Sequence, residues 1–122
     1  MQILIPIRPH PKQRPRFSGH AYTPEETRKY EQEIRTIVQT RMRCDGIEPY
    51  HTWCELDLKF QYARPKRPKL FYNKRPDIDN LLKAVFDALN GVLYRDDAII
   101  LKVMAQKVYG DNDSITIGAC GE

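Results

Sequence analysis

An α+β domain is the fold that this sequence predicts, with two helices packed on a mixed or antiparallel sheet. Two segments carry apolar residues at helical spacing, and several shorter segments carry the alternating or continuous apolar pattern that is typical of strands. In chain order these segments give β-α-β-α-β-β. The chain has 122 residues, which suits one buried core, so we expect residues 1–122 to form a single domain.

The first half of the chain supplies one strand and one helix. The strand is predicted at Gln2–Ile7, where it meets a loop whose prolines lack backbone donors and cannot continue a central strand. The helix is predicted from Thr23 to about Arg43, because a threonine cap, a proline at the first helical position and two acids form a typical helix start. Its predicted apolar stripe is Tyr30, Ile34, Ile37, Val38 and Met42.

The second half supplies a further helix and three strands. Residues 51–62 alternate between polar and apolar side chains, which predicts a strand. A helix is predicted from about Asn80 to Leu89 and ends at Asn90-Gly91. Two last strands are predicted at Ala98–Tyr109 and Ser114–Ala119.

Positive charge is concentrated in two segments. Residues 1–16 carry four Lys or Arg residues, residues 59–76 carry seven, and neither segment contains an acid. Clustered Lys and Arg bind polyanions through phosphate contacts; two solvated basic loops without a partner are the alternative. The residues that we expect to contact a polyanion are Arg8, Lys12, Arg14, Arg16, Arg64, Lys66, Arg67, Lys69, Lys74 and Arg75.

Other side chains exclude several classes of site. The three cysteines and three histidines match no zinc or nucleophile spacing, so the cysteines are interpreted as free thiols in a reducing compartment. No apolar run reaches the roughly 20 residues of a membrane span, and the apolar N-terminus is too short for a signal peptide. We therefore expect a cytoplasmic protein without a membrane partner.

Tyr62, Phe71 and Tyr72 either stack on unpaired bases or pack at the rim of the basic segment.

The start of the second helix carries two carboxylates. A proline at position 76 favours extended backbone before it, so Asp79 is predicted to be the helix cap. Asp77 lies two residues earlier, and in an extended segment both side chains project to the same side.

More acids and one lysine follow. Lys83 and Asp87 lie one and two turns beyond Asp79, and the pair Asp96-Asp97 precedes the next strand. Ionised carboxylates repel one another unless a cation neutralises them. Hard oxygen ligands select Mg²⁺ or Mn²⁺, and such an ion supports phosphodiester hydrolysis. The alternative is that Asp79 and Lys83 are ordinary surface residues of a helix and that Asp96-Asp97 form a turn.

Two motifs bring these residues together. One is RPDIDNLLKAVFDALNG at residues 75–91 with YRDD at 94–97, and the other is KQRPRF at residues 12–17. Both resemble the RusA-like endodeoxyribonucleases, and the resemblance covers nearly the whole chain. It implies metal ligation by Asp77, Asp79 and Asp97, with Lys83 as the catalytic lysine and Asp96 adjacent to the site.

The resemblance also implies a substrate and an assembly. RusA-like enzymes are homodimers that resolve four-way (Holliday) DNA junctions with Mg²⁺, so branched DNA is the expected partner, and Mn²⁺ is an expected substitute cation. A two-fold dimer matches the two-fold symmetry of such a junction. Two other functions fit the residues: a non-catalytic DNA-binding module, and a related metal nuclease that acts on flaps or RNA.

Overall fold

A mixed four-stranded sheet with two helices forms the fold. The computed structural model describes residues 1–12, 16–17, 21–22, 25–67 and 69–122, and the two short segments 16–17 and 21–22 by their backbone alone. The elements are β1 (Gln2–Ile5), β2 (Arg16–Phe17), β3 (Ala21–Tyr22), α1 (Glu25–Asp45), β4 (Cys54–Ala63), α2 (Ile78–Leu89), a 3-10 turn η1 (Asp97–Ile99), β5 (Ile100–Gly110) and β6 (Ser114–Gly121).

The sheet combines parallel and antiparallel pairing. Its strands lie in the order β1-β6-β4-β5, and β2 pairs with β3 in a separate two-stranded ribbon. β6 runs antiparallel to β1 and β4, whereas β5 runs parallel to β4. Parallel neighbours need a crossover connection, and α2 provides it between β4 and β5. The predicted α+β class with two helices and a mixed sheet is therefore confirmed.

One core joins the helices to the sheet. Alternate side chains of β4, such as Leu56, Leu58 and Phe60, are buried, while Asp57 points to the opposite, exposed face. Both helices bury a stripe at helical spacing against these side chains. The buried residues are Thr27, Tyr30, Ile34, Val38 and Met42 in α1, and Leu81, Ala84, Val85, Ala88 and Leu89 in α2.

The start of α2 differs from the prediction. Asp77 is the cap residue, with an extended backbone, and Asp79 already lies in the first helical turn. The prediction that Asp79 caps the helix was wrong, and so was the extended geometry that would project both side chains to the same side. A proline at position 76 restricts only the residue before it, so nothing prevents the helix from beginning two residues later. The predicted end is confirmed, because Asn90 caps the helix and Gly91 has a φ of 78°.

Strand boundaries also shift. β1 ends at Ile5, two residues earlier than predicted, and β5 begins only after the turn η1. β4 begins at Cys54, because the N–H groups of residues 51–53 donate to the carbonyl of Glu122. For α1, the predicted cap residues 23 and 24 lie outside the described part of the chain.

The fold bears on two expectations, the state of the cysteines and the length of apolar helices. Cys44, Cys54 and Cys120 are free thiols. Within the described residues, neither helix is long and apolar enough to cross a membrane.

Candidate active site

The exposed face of α2 carries a lysine and a carboxylate one turn apart. Lys83 Nζ lies 3.9 Å from Asp87 Oδ2, and the lysine side chain is 65% exposed. The opposite face of the helix is buried in the core, so this pair points away from it. Asp87 is 29% exposed, which makes it the more enclosed partner.

The N-terminal loop supplies a second lysine to the same carboxylate. Lys12 Nζ lies 3.1 Å from Asp87 Oδ2 and 2.5 Å from Glu31 Oε1 of α1, with 18% of its side chain exposed. Its backbone N–H donates to the carbonyl oxygen of Asn80 at 3.0 Å. Burial alone would lower the pKa of Lys12, but the hydrogen bonds and charges of Glu31 and Asp87 outweigh it and raise that pKa. Lys12 therefore ties the loop to both helices.

Asp96 and Asp97 form an acidic pair at the start of η1. The backbone N–H of Asp97 donates to Asn90 Oδ1 at 3.1 Å, which holds the pair beside the end of α2. The pKa of Asp97 is raised, first by a side-chain hydrogen bond with Asp96, then by desolvation and by repulsion from Asp96 and Asp87, whereas Lys83 lowers it. The pair thus shares its electrostatic environment with the Lys83–Asp87 pair.

Asp77 and Asp79 lie at the other end of α2. Both are exposed; Asp77 Oδ2 lies 3.8 Å from Arg75 Nη1, and Asp79 Oδ1 accepts a hydrogen bond from the N–H of Asn80 at 2.9 Å. The side chain of Asp77 makes no capping hydrogen bond at the start of the helix. Their carboxylates keep free lone pairs toward solvent.

The backbone before Asp77 is anchored from two sides. Lys107 Nζ of β5 donates to the carbonyl oxygens of Lys74 at 2.7 Å and Pro76 at 2.9 Å. The Tyr72 hydroxyl donates to the carbonyl oxygen of Arg75 at 2.9 Å. These bonds satisfy three consecutive carbonyl groups and fix where the chain enters α2.

The two acidic groups do not merge into one ligand set. Asp79 lies in the first turn of α2, whereas the N–H of Asp97 is held by Asn90 after the last helical residue, and a helix rises about 1.5 Å per residue. No three Asp, Glu, His or Cys side chains are grouped closely enough to hold a metal ion in the part of the chain that the structure describes. The donor type suits Mg²⁺, but Asp77, Asp79 and Asp97 are not assembled around one point, and no catalytic step through a metal ion follows from this arrangement.

The predicted basic residues occupy different environments. Arg64, Lys66, Arg67 and Lys69 are exposed in the loop after β4. Arg8 and Lys74 lie over aromatic rings, at 4.9 Å from Tyr62 and 5.4 Å from Tyr72 respectively. Arg14 and the side chain of Arg16 lie outside the described residues.

Comparison with known proteins places these residues in a family. The family model described as "Endodeoxyribonuclease RusA" matches residues 6–118. The chain belongs to the RusA endodeoxyribonuclease family. The matched range includes α2, both acidic groups, Lys12, Lys83 and Lys107, so the resemblance in the sequence is confirmed.

A curated relative of this RusA family member is known from Bacillus subtilis (strain 168). It is the "Uncharacterized protein YqaN", which is 35% identical over 43 residues. The alignment covers 35% of this chain and 30% of the relative. The match is therefore local and adds no activity to the family assignment.

Sequence reasoning missed several contributors to this RusA-family site. Asp87 was placed on the polar face of α2 but not among the site residues, and only the fold shows that it binds two lysines. Lys107 lies in the middle of a strand, where nothing in the sequence distinguishes it from an ordinary surface lysine, although it is half-buried in the fold. Tyr62 and Tyr72 stack on each other at 4.2 Å and are almost fully buried, which favours the packing alternative for both rings. Phe71 is exposed.

Proposed function

We propose that this chain is an endodeoxyribonuclease that resolves four-way DNA junctions by paired nicks and requires Mg²⁺. The observation that carries the proposal is the position of Lys83, which lies on an exposed surface between two groups of carboxylates, in a chain matched by the RusA family model over residues 6–118. A phosphodiester bound there would contact an ammonium group with acids on either side of it. The protein is proposed to act in the cytoplasm.

Lys83 is the residue that we propose to stabilise the negative charge of the reacting phosphate. The geometry around Asp87 supports this role. Lys12 lies closer to the Asp87 carboxylate than Lys83 does, at 3.1 Å against 3.9 Å. Because Lys12 is the closer partner of that carboxylate and Lys83 is 65% exposed, the ammonium group of Lys83 is the more available of the two to the substrate.

Asp77, Asp79 and Asp97 are the proposed ligands of the cation, with Mn²⁺ as a substitute. An ion held by these carboxylates would supply Lewis-acid chemistry to the phosphodiester. The carboxylates stand in two groups, so this part of the proposal needs a test that does not depend on cleavage. Binding of Mn²⁺ can be measured by electron paramagnetic resonance with and without a junction. Loss of bound Mn²⁺ in Asp77→Asn and in Asp97→Asn is expected if both groups share one ion.

DNA binding is proposed to depend on the exposed basic side chains. Phosphate contacts give affinity without reading sequence, and exposed Arg and Lys side chains in loops can follow the arms of a junction. Lys12 is less available than the others, because Glu31 and Asp87 already pair with its ammonium group. The remaining proposed contacts are Arg8, Arg14, Arg16, Arg64, Lys66, Arg67, Lys69, Lys74 and Arg75.

A non-catalytic junction-binding module is the second candidate. The separation of the acidic groups favours it, because carboxylates that never meet around a cation would not support hydrolysis. The deciding experiment incubates the protein with a synthetic four-way junction, a flap, an RNA duplex and a linear DNA duplex, each with Mg²⁺ or with EDTA. Junction binding with cutting only in Mg²⁺ supports the nuclease, and binding without cutting under every condition supports the module.

Carboxylate variants locate the chemistry in the same assay. Asparagine at each proposed ligand should abolish cleavage and keep junction affinity, because removing negative charge does not weaken phosphate binding. Asp57→Asn is the matched control, since it makes the same change on the exposed face of the sheet. Retained nicking by two of the three ligand variants would contradict the metal assignment. The variants are Asp77→Asn, Asp79→Asn and Asp97→Asn.

A homodimer is part of the proposal. A four-way junction is resolved productively when two strands of like polarity are cut at symmetric positions, and a two-fold dimer offers two sites in that arrangement. Light scattering at micromolar concentration gives the mass, and a supercoiled plasmid with a cruciform gives the cutting pattern. A monomer that releases only nicked circles would contradict paired resolution.

A further inference from the structure

A cavity lies beside Asp77, between the N-terminal loop and the start of α2. Its volume is about 490 Å³, and its lining includes Arg8, Pro9, Pro11, Arg75 and Asp77. This falls within the roughly 300–1,000 Å³ of pockets that receive small ligands. Lys83 and Asp87 do not line it. Arg8, Arg75 and Asp77 have proposed roles above, but the enclosed space itself has none.

The loop wall of the cavity is held in place before any ligand binds. The Tyr62 hydroxyl donates to the carbonyl oxygen of Pro9 at 3.3 Å, and His10 Nδ1 lies 2.8 Å from the carbonyl oxygen of Pro11. At the far end, the Lys12 N–H donates to the carbonyl oxygen of Asn80, which belongs to the opposite wall. A preformed cavity costs a ligand little ordering free energy.

The lining combines apolar surface with two guanidinium groups. Pro9 and Pro11 give apolar walls, and Arg8 and Arg75 are exposed at the rim. Arg8 also lies 4.9 Å above the Tyr62 ring and 3.4 Å from Asp113, so its guanidinium group is already oriented. Guanidinium groups bind phosphate oxygens in a bidentate manner. The combination suits a ligand with one flat apolar part and one anionic part.

We propose that this cavity receives one nucleotide of the cleaved strand, with its base against the proline walls and its phosphate at Arg8 and Arg75. Because Asp77 borders the cavity, the nucleotide would lie next to the phosphodiester that is cut. A base at a branch point, where stacking is interrupted, can leave the stack at lower cost than a base inside a continuous duplex. The inference rests on the proposed junction nuclease and deepens it by naming a nucleotide subsite.

The test places 2-aminopurine at single positions around the branch point of a synthetic junction, in EDTA so that no strand is cut. This base becomes brighter when it leaves the stack. One position should brighten on binding relative to the free junction, as expected for a base taken out of the stack. Asn80→Trp is the key variant: Asn80 is exposed and borders the cavity, and its carbonyl bond to Lys12 does not depend on its side chain.

Filling the cavity should remove the response and weaken junction binding by about ten-fold, which is the scale of the stacking free energy of one base. Gln39→Trp is the matched control, because it places the same side chain at an exposed helix position of α1 and should leave both the response and the affinity unchanged. Asn80→Ala enlarges the cavity and should keep the response. Circular dichroism checks the fold of each variant.

The outcomes separate this inference from the proposed function. A wild-type protein that neither binds nor cuts the junction overturns both. A protein that binds and cuts, but for which no position brightens, overturns the subsite alone. So does an Asn80→Trp variant that brightens the base as the wild type does, because the base would then leave the stack without entering the cavity.

Discussion

Lys107→Met should disable cleavage while it leaves DNA binding nearly intact. Lys107 donates two hydrogen bonds to the backbone just before Asp77, at 2.7 Å and 2.9 Å. A methionine keeps much of the length of the side chain and removes both bonds. Hydrogen bonds from a charged donor contribute about 1.5–3 kcal/mol each when they are buried. Lys107 is half-buried, so we expect a total loss of about 1–3 kcal/mol in the free energy of unfolding.

The effect on cleavage should be larger than the effect on stability. Without these bonds the carbonyl oxygens of Lys74 and Pro76 are released, and Asp77 is the next residue. A displacement of about 1 Å at a reacting group can cost about 100-fold in rate. Single-turnover cleavage of a four-way junction at saturating enzyme measures that rate, and fluorescence anisotropy of the same junction measures affinity. Urea unfolding measures the change in stability.

Two further variants make the result specific. Lys102→Met removes the same charge from the same strand, but at an exposed position that pairs with Glu55 in the sheet register, far from the anchored segment. Lys107→Arg keeps a charged donor and should restore part of the cleavage rate. If Lys107→Met cuts within about two-fold of Lys102→Met, the anchoring of the backbone has no role in catalysis, and the reasoning from these bonds is refuted.

Three more predictions follow from the site and the fold. Lys83→Ala should lower the cleavage rate by about 100-fold or more, and the variant should stay folded because the lysine side chain is 65% exposed. Cleavage near the wild-type rate, with a native circular dichroism spectrum, would mean that Lys83 is a surface residue with no role in catalysis. Replacing Lys66, Arg67 and Lys69 in the loop after β4 by alanine should make the salt dependence of junction affinity less steep. The slope of log affinity against log salt concentration should change by about 0.9 for each phosphate that the loop no longer neutralises. An unchanged slope would mean that the loop does not contact DNA. Stability should fall above pH 10, because burial raises the pKa of Tyr30 to about 12 in the native state, while the unfolded tyrosine ionises near its ordinary pKa of 10.0. The native state then holds a proton that the unfolded state has released, so the free energy of unfolding falls by about 1.4 kcal/mol per pH unit. Urea unfolding at pH 9, 10 and 11 should show a smaller fall in that free energy for Tyr30→Phe than for the wild type. Equal falls would contradict the assignment to Tyr30.

Local patterns predicted the helices well. Tyr30, Ile34, Val38 and Met42 lie on one face of α1 at helical spacing, and burial follows that spacing in the fold. The end of α2 was also predictable, because Gly91 adopts the positive φ that glycine tolerates. Periodicity and end signals depend on neighbouring residues, which a sequence displays directly.

Contacts between distant segments could not be predicted in the same way. Asp87 and Lys12 are far apart in the chain and meet only because the N-terminal loop crosses α2. The parallel pairing of β4 with β5 depends on the crossover through α2, and the role of Lys107 depends on that pairing. The cap residue was wrong for a local reason, since a proline limits where a helix can begin without fixing its first residue.

The attachment of α2 at both ends gives the helix the role of a spacer. Lys107 donates to the carbonyl oxygen of Pro76, just before the cap residue Asp77, and the side chain of the C-cap residue Asn90 accepts from the N–H of Asp97. The separation of Asp77 and Asp97 therefore depends on the twelve residues of the helix and on the Asn90 side chain that holds Asp97. Removing one residue would shorten the spacer by about 1.5 Å and rotate everything beyond the deletion by about 100°. Length is thus a constraint on α2 that is as strict as the identity of its acids, and natural variation in this segment should keep residue number even where surface side chains change.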